Sequence, residues 1–243
     1  MKVLNGCYSY IGNSRTVNQD CIFCEQLDSK SNSFLVAAVC DGIGGLQHGE
    51  IASQYICDKV SETYNSIAEW IDVDSVDESV IFAHFKDAVE DWNSTFFEYK
   101  KQCGIEMGTT MTLLIVVRDS YFIIQVGDSR AYLWNRQFLR QLTMDASVSA
   151  IIDGQMKSYL DNYMGKNPEV WYTTADGRLN PEDMLIVCCD GFYHKLTTED
   201  LIFDQTIFKS KKTADAKCIE LINTMMSRGE KDNISVIMVY AKN

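Results

Sequence analysis

Proline and histidine are scarce in this chain. Only two of its 243 residues are proline, Pro168 and Pro181, and three are histidine, His48, His84 and His194. No Pro-, Gly- or Ser-rich stretch breaks the sequence, so a single domain over residues 1–243 is expected. Basic residues are also short: 22 Lys and Arg stand against 34 Asp and Glu, a formal net charge of -12. That deficit argues against a general nucleic-acid binder, which needs basic surface to displace counterions. It argues equally against docking on an anionic membrane. No segment approaches the ~20 apolar residues of a membrane span. Leu4-Asn5-Gly6-Cys7 has the look of a lipobox, but the apolar stretch a signal requires does not precede it. A cytoplasmic location is expected.

What is present is a large apolar fraction, 46%, enough to bury a sizeable core. There are nine cysteines, an odd number. Cys40, Cys188 and Cys189 lie inside apolar runs and read as small buried hydrophobes in a reducing compartment. Cys21-x-x-Cys24 stands without a second pair or nearby histidines, which excludes a zinc reading. The acidic run Asp72, Asp74, Asp77, Glu78 lacks the glycine and closing glutamate of an EF-hand and reads as a loop and helix start.

Periodicity gives an α+β chain. Short strands are expected at 6–11, 21–27, 34–40, 109–117, 121–126, 130–134, 138–142, 170–174, 184–189 and 233–241. Helices are expected over 48–70, 80–101 and 213–227, the last with Ala216, Ile219, Ile222 and Met226 inward, and a short one from Thr197. Residues 147–163 read as short helices. Hairpin order at the start of the chain and a meander in its middle favour antiparallel pairing, with helices covering the sheets.

The chain is organised around Val36 to Gly45, VAAVCDGIGG. An apolar run ends abruptly in Asp41-Gly42, as when a buried strand presents a carboxylate at its tip, and the glycines let the backbone turn sharply. The pattern repeats: Ile123 to Val126 runs into Gly127-Asp128-Ser129, Leu185 to Cys189 runs into Asp190-Gly191, and Asp232-Asn233 precedes Ile234 to Tyr240. One Asp-Gly is usually only a turn. Four carboxylates brought together make a hard, oxygen-rich site suited to Mg²⁺ or Mn²⁺.

Taken in order, seven motifs resemble the metal-dependent serine/threonine protein phosphatases of type 2C. They are Arg15-x-x-Asn18-Gln19-Asp20, Asp41-Gly42-x-Gly44-Gly45, Gly108-Thr109-Thr110, Val126-Gly127-Asp128-Ser129-Arg130, Leu142-Thr143-x-Asp145, Cys189-Asp190-Gly191 and Asp232-Asn233-Ile234-Ser235. The resemblance spans about residues 7–239, and the compact size points to a bacterial-type member. It implies a central antiparallel β-sandwich flanked by helix pairs, a four-layer αββα arrangement. It implies two Mn²⁺ or Mg²⁺ sites, with a weaker third. Asp41 would bridge two metals, the Gly42 carbonyl would bind one, Asp190 and Asp232 would complete the ligands of the first metal, and Asp128 with Asp190 would hold the third. Arg15 would hold the phosphate, since a planar fork suits two phosphoryl oxygens. A metal-bridging hydroxide would attack phosphorus in phosphoserine or phosphothreonine, on a phosphoprotein whose phosphates a kinase supplies. A monomer is expected.

Some roles stay open at this level. Asp20 either orients water on a metal or stabilises a turn; Asp128 either binds metal or holds a tight turn. Arg130 reads as a structural ion pair, and Asn233 as fixing the Asp232 loop. Gln19 stands where many members carry Glu, which lowers the negative charge outside the second metal. Ile43 and Ala146 replace histidines common in the family, and the stretch from Asp145 to Asp183 looks short for a substrate-selecting flap. Two other functions are weighed: a catalytically weak or inactive regulatory member of the same fold, and a metal nuclease. The first should have lost a metal aspartate, yet Asp41, Asp128, Asp190 and Asp232 are all present; the second conflicts with the acidic surface.

Overall fold

The computed structural model describes residues 1–46, 48–152, 155–203 and 207–242. One antiparallel sheet contains β2 (Asp20–Asp28), β3 (Ser33–Asp41), β4 (Met111–Val117), β5 (Ser120–Val126) and β10 (Thr173–Arg178), in the order β10-β5-β4-β3-β2. The other contains β1 (Val3–Tyr10), β6 (Arg130–Trp134), β7 (Leu139–Gln141), β11 (Met184–Cys188) and β12 (Ile234–Ala241), in the order β1-β12-β11-β6-β7. Among the described residues four α-helices complete the frame, α1 (Gly49–Ala68), α2 (Glu78–Cys103), the single turn α3 (Asp190–Tyr193) and α4 (Lys211–Ser227), with a 3-10 turn at Thr198–Leu201.

The central strands are buried along their length, save Asp41 at the tip of β3, because both of their faces are covered. On β3, Leu35, Ala37 and Val39 enter the core between the sheets, with Leu114, Val116, Val187, Ile237 and Val239. The alternate residues Val36, Ala38 and Cys40 face out, under Ile56, Val60, Phe85 and Phe96 of α1 and α2. The opposite face is closed by Ala214, Cys218, Leu221 and Met225 of α4 packed on Ile186, Val236 and Met238. These three cores between four layers are the αββα arrangement that the resemblance implied. Among the described residues no helix is long and apolar enough to cross a membrane.

Two expectations are corrected. Residues 147–163 hold not short helices but a hairpin, β8 (Ser147–Ile152) paired with β9 (Gln155–Leu160); residues 153–154 lie outside the described set. On α4 the inward stripe is Ala214, Cys218, Leu221, Ile222 and Met225, whereas Ala216 and Ile219 are exposed. Both stripes have helical spacing, and contact with β1 selects between them: Ala214 packs directly on Gly6.

Candidate active site

Four strand-tip aspartates meet at one end of the sandwich. Asp41 ends β3, Asp128 sits in the turn from β5 to β6, Asp190 opens α3 directly after β11, and Asp232 precedes β12. Together with Arg15, Gln19, Thr110 and Leu160 they line a cleft of about 150 Å³. An adjoining cavity of about 540 Å³ shares Asp128 and Asp190 and adds Arg130, Asp145, Tyr193 and His194. Leu160, from the misread hairpin, borders both cavities.

The backbone beneath these carboxylates is pinned. The Asp41 amide donates to Thr110 Oγ1 at 3.0 Å, and its carbonyl accepts from the Thr110 amide at 2.8 Å and Thr109 Oγ1 at 2.9 Å. Thr110 Oγ1 also lies 2.7 Å from Ser129 Oγ, so one threonine couples the Asp41 tip to the turn carrying Asp128. The Gly108-Thr109-Thr110 motif carried no assigned role in the sequence, and this is what it does. Asn233 reaches beyond its own turn: Nδ2 donates to the Ile11 and Val17 carbonyls at 2.8 and 3.2 Å, and Oδ1 accepts from the Gln19 amide at 2.9 Å. It thereby fastens the loop bearing Arg15 to the turn bearing Asp232.

Asp20 does not line the cleft. It lies behind, paired in register with Asp41, fully buried, and accepts from Ser235 Oγ at 2.6 Å. Its other oxygen, Oδ1, has no hydrogen-bond partner among the described residues. One ligand atom from each of Asp20, Asp41 and Cys189 falls within 4.8 Å of the others. Burial, only partly offset by the Ser235 and Cys189 hydrogen bonds, pushes Asp20 up to about 6. Burial and then the charge of Asp20 hold Asp41 well above the usual carboxylate range, and burial with Asp190 pushes Asp128 up to about 6. Asp190 is raised chiefly by burial, with the nearby His194 opposing. Like charges gathered in one partly buried cleft oppose folding unless cations join them. The donor set, carboxylate oxygens plus an orphaned buried oxygen behind them, fits hard divalent cations.

Two glycines set how closely the tips approach. A Cβ on Gly42 would lie 2.2 Å from the Gly49 carbonyl oxygen, so the turn after Asp41 packs directly on the start of α1. A Cβ on Gly191 would lie 2.1 Å from the Asn233 carbonyl oxygen, where α3 meets the Asp232–Asn233 turn. Gly191→Ala must therefore push Asp190 and Asp232 apart. The expected result is a loss of about 3 kcal/mol in urea unfolding together with a large loss of activity. An unchanged midpoint would show that the turn yields freely.

Arg15 grips Asp232 with both arms of its fork, Nε to Oδ1 at 2.9 Å and Nη2 to Oδ2 at 2.7 Å. The two side chains are 45% and 37% exposed, so the pair contributes at most ~1 kcal/mol and is readily exchanged for another anion. Arg130 makes the structural ion pair expected of it, to Asp145 at 2.6 Å, and stacks 3.6 Å over the Tyr193 ring.

Comparison with known proteins points to one family and one fold. The protein phosphatase 2C family model matches residues 12–233. The serine/threonine phosphatase stp of Listeria monocytogenes is 26% identical over 226 residues, covering 87% of this chain and 86% of that protein. The S. agalactiae serine/threonine phosphatase structure superposes with a TM-score of 0.76 at 26% identity, covering 99% of this chain and 100% of that one. The catalytic domain of the phosphatase PstP, solved with two manganese ions, shares the fold with a TM-score of 0.73 at 21% identity over 99% of each chain.

Proposed function

We propose that this chain, which belongs to the protein phosphatase 2C family, hydrolyses phosphoserine and phosphothreonine esters on proteins with the help of Mn²⁺ or Mg²⁺. The observation that carries the reading is the cleft in which four carboxylates face one guanidinium. As it stands, such a cleft repels a phosphate dianion. Divalent cations reverse its sign, and when bound they neutralise phosphoryl oxygens and make water a nucleophile near neutral pH. Asp41, Asp190 and Asp232 would hold one cation and Asp41 with the Gly42 carbonyl a second, with Asp128 and Asp190 offering a weaker third site. Arg15, free to exchange Asp232 for another anion, would bind and orient the phosphate. Asp20 would act from behind Asp41, its unpartnered oxygen available to a buried water. In this reading the protein works as a cytoplasmic monomer in signalling, opposing a serine/threonine kinase.

All four cleft aspartates are present, which weighs against an inactive regulatory member. With Mn²⁺ supplied, the expected result is phosphate release from a phosphothreonine peptide and little from a phosphotyrosine peptide or a phosphodiester. A diester turned over faster than the peptide would overturn the assignment.

Gln19 gives a sharper test. Its backbone is fixed by Asn233, by the Gly42 amide at 3.0 Å and by Ser53 Oγ at 2.6 Å, so a change of side chain leaves its position intact. The amide side chain lines the cleft but brings no charge. Changes in groups that support metal ligands shift affinity by ~10–100-fold. Gln19→Glu is expected to lower the Mn²⁺ concentration for half-maximal activity about tenfold, with kcat changed less. Overlapping Mn²⁺ titrations would show that the amide is not the weak point.

A further inference from the structure

Away from the cleft, two thiols meet across the seam between the sheets. The edge strands β1 and β2 belong to different sheets but lie side by side, and Asn5 Nδ2 donates to Gln26 Oε1 at 2.9 Å across the gap. One pair along these antiparallel strands, Cys7 and Cys24 both pack into the core between the sheets, close enough for each thiol to act on the other. Both are half-buried, and neither is in a disulfide. Cys21, the other half of the C-x-x-C, turns to the opposite face, toward Gln54 and Cys57, so that sequence pair never meets. Lys211 of α4 completes the cluster. Its Nζ lies 3.8 Å from Cys7 Sγ and is held there by Asn5 Oδ1 at 2.9 Å, while Asp215 accepts from the Cys7 amide at 2.9 Å.

We propose that Cys7 and Cys24 are a redox-modification site, which hydroperoxides convert to a reversible disulfide joining the two sheets. The chemistry favours Cys7 as the attacking sulfur. The hydrogen bond from Cys24, followed by the Lys211 ammonium, overcomes burial and the Asp215 charge and brings Cys7 down to about 7, whereas Cys24 is held up. Lys211, Asp215 and Cys24 are the charged and titratable groups acting on Cys7; the amide of Asn5 packs beside them. The Cys7 thiolate attacks the peroxide O–O bond, forming a sulfenic acid and releasing an alcohol or water. Cys24 then attacks that sulfur, and its proton leaves with the hydroxyl as water. Overall, two thiols and one hydroperoxide give one disulfide, one alcohol or water, and one water. The bond would close the chain segment that carries Arg15, Asn18 and Gln19.

The test uses the wild-type chain, treated with hydrogen peroxide, blocked with an alkylating agent and mapped by mass spectrometry without reduction. The expected result is a Cys7–Cys24 linked peptide that appears before oxidation of the exposed Cys103 and disappears with dithiothreitol. In Cys24→Ser, Cys7 should instead be trapped as a dimedone adduct. In Lys211→Met, alkylation of Cys7 at pH 7 should slow about threefold, as expected when a nearby cation no longer favours the thiolate. Cys7 and Cys24 recovered as free thiols after Cys103 is oxidised, or linkage only through other cysteines, would overturn the proposal.

Discussion

Asp190→Asn should lower phosphopeptide turnover by at least about a thousandfold while leaving the fold intact. Asp190, like Asp128, borders both cavities, and in the proposed reading it would serve two of the cations. The amide keeps the shape of the side chain but removes the anionic oxygen that hard cations prefer. Stability should not fall. Burial and the neighbouring Asp232 already disfavour the charged form, so a neutral side chain relieves strain in the metal-free protein. The check is kcat at saturating Mn²⁺ together with the urea midpoint. Near-normal turnover with normal metal content would remove Asp190 from the site.

Arg15→Ala should raise KM for a phosphothreonine peptide about 10–100-fold, the loss of one or two charge-assisted hydrogen bonds. The guanidinium lies in the cleft, yet its partner in this structure is Asp232. In the proposed reading, substrate binding would exchange one anion for another, and the exposed ion pair is weak enough to allow it. Removing Arg15 also frees Asp232, so Mn²⁺ affinity should hold or rise slightly. A fall in Mn²⁺ affinity with unchanged KM would mean that Arg15 serves to position Asp232 and does not touch phosphate. Arg15→Lys should recover little of the loss, because a point charge cannot reproduce the fork.

The strand tips were legible because each tip aspartate ends or precedes an unbroken apolar run, and a side chain at the end of a strand buried on both faces has few places to go. Asp128 and Asp232 could be read the same way. Asp20 could not be resolved between two roles, since its burial and its orphaned oxygen depend on Ser235, 215 residues away in sequence. Thr110 was visible as part of a motif, but its bridge to Ser129 joins two turns that only the sandwich brings together. The β8–β9 hairpin escaped notice because its strands are short and mix Ser, Lys and Gln with apolar residues; the Asp-Gly at 153–154 in the sequence was the available hairpin signal. The α4 face differs from the sequence expectation for another reason. Cys218 counts as an apolar residue only once it is seen buried, and two stripes of equal spacing compete. The Cys7–Cys24 pair had no signature at all, because it depends on how two sheets align at their edges.

The aspartate cleft should work only with divalent cations in it. The direct measurement is phosphate release from a phosphothreonine peptide by protein stripped with EDTA, then titrated with Mn²⁺, with Mn²⁺ binding followed in parallel by electron paramagnetic resonance. The expected result is no turnover after stripping, recovery on adding Mn²⁺, and loss of bound Mn²⁺ in Asp41→Asn. Turnover that survives EDTA, or Mn²⁺ binding unaffected by Asp41→Asn, would contradict it.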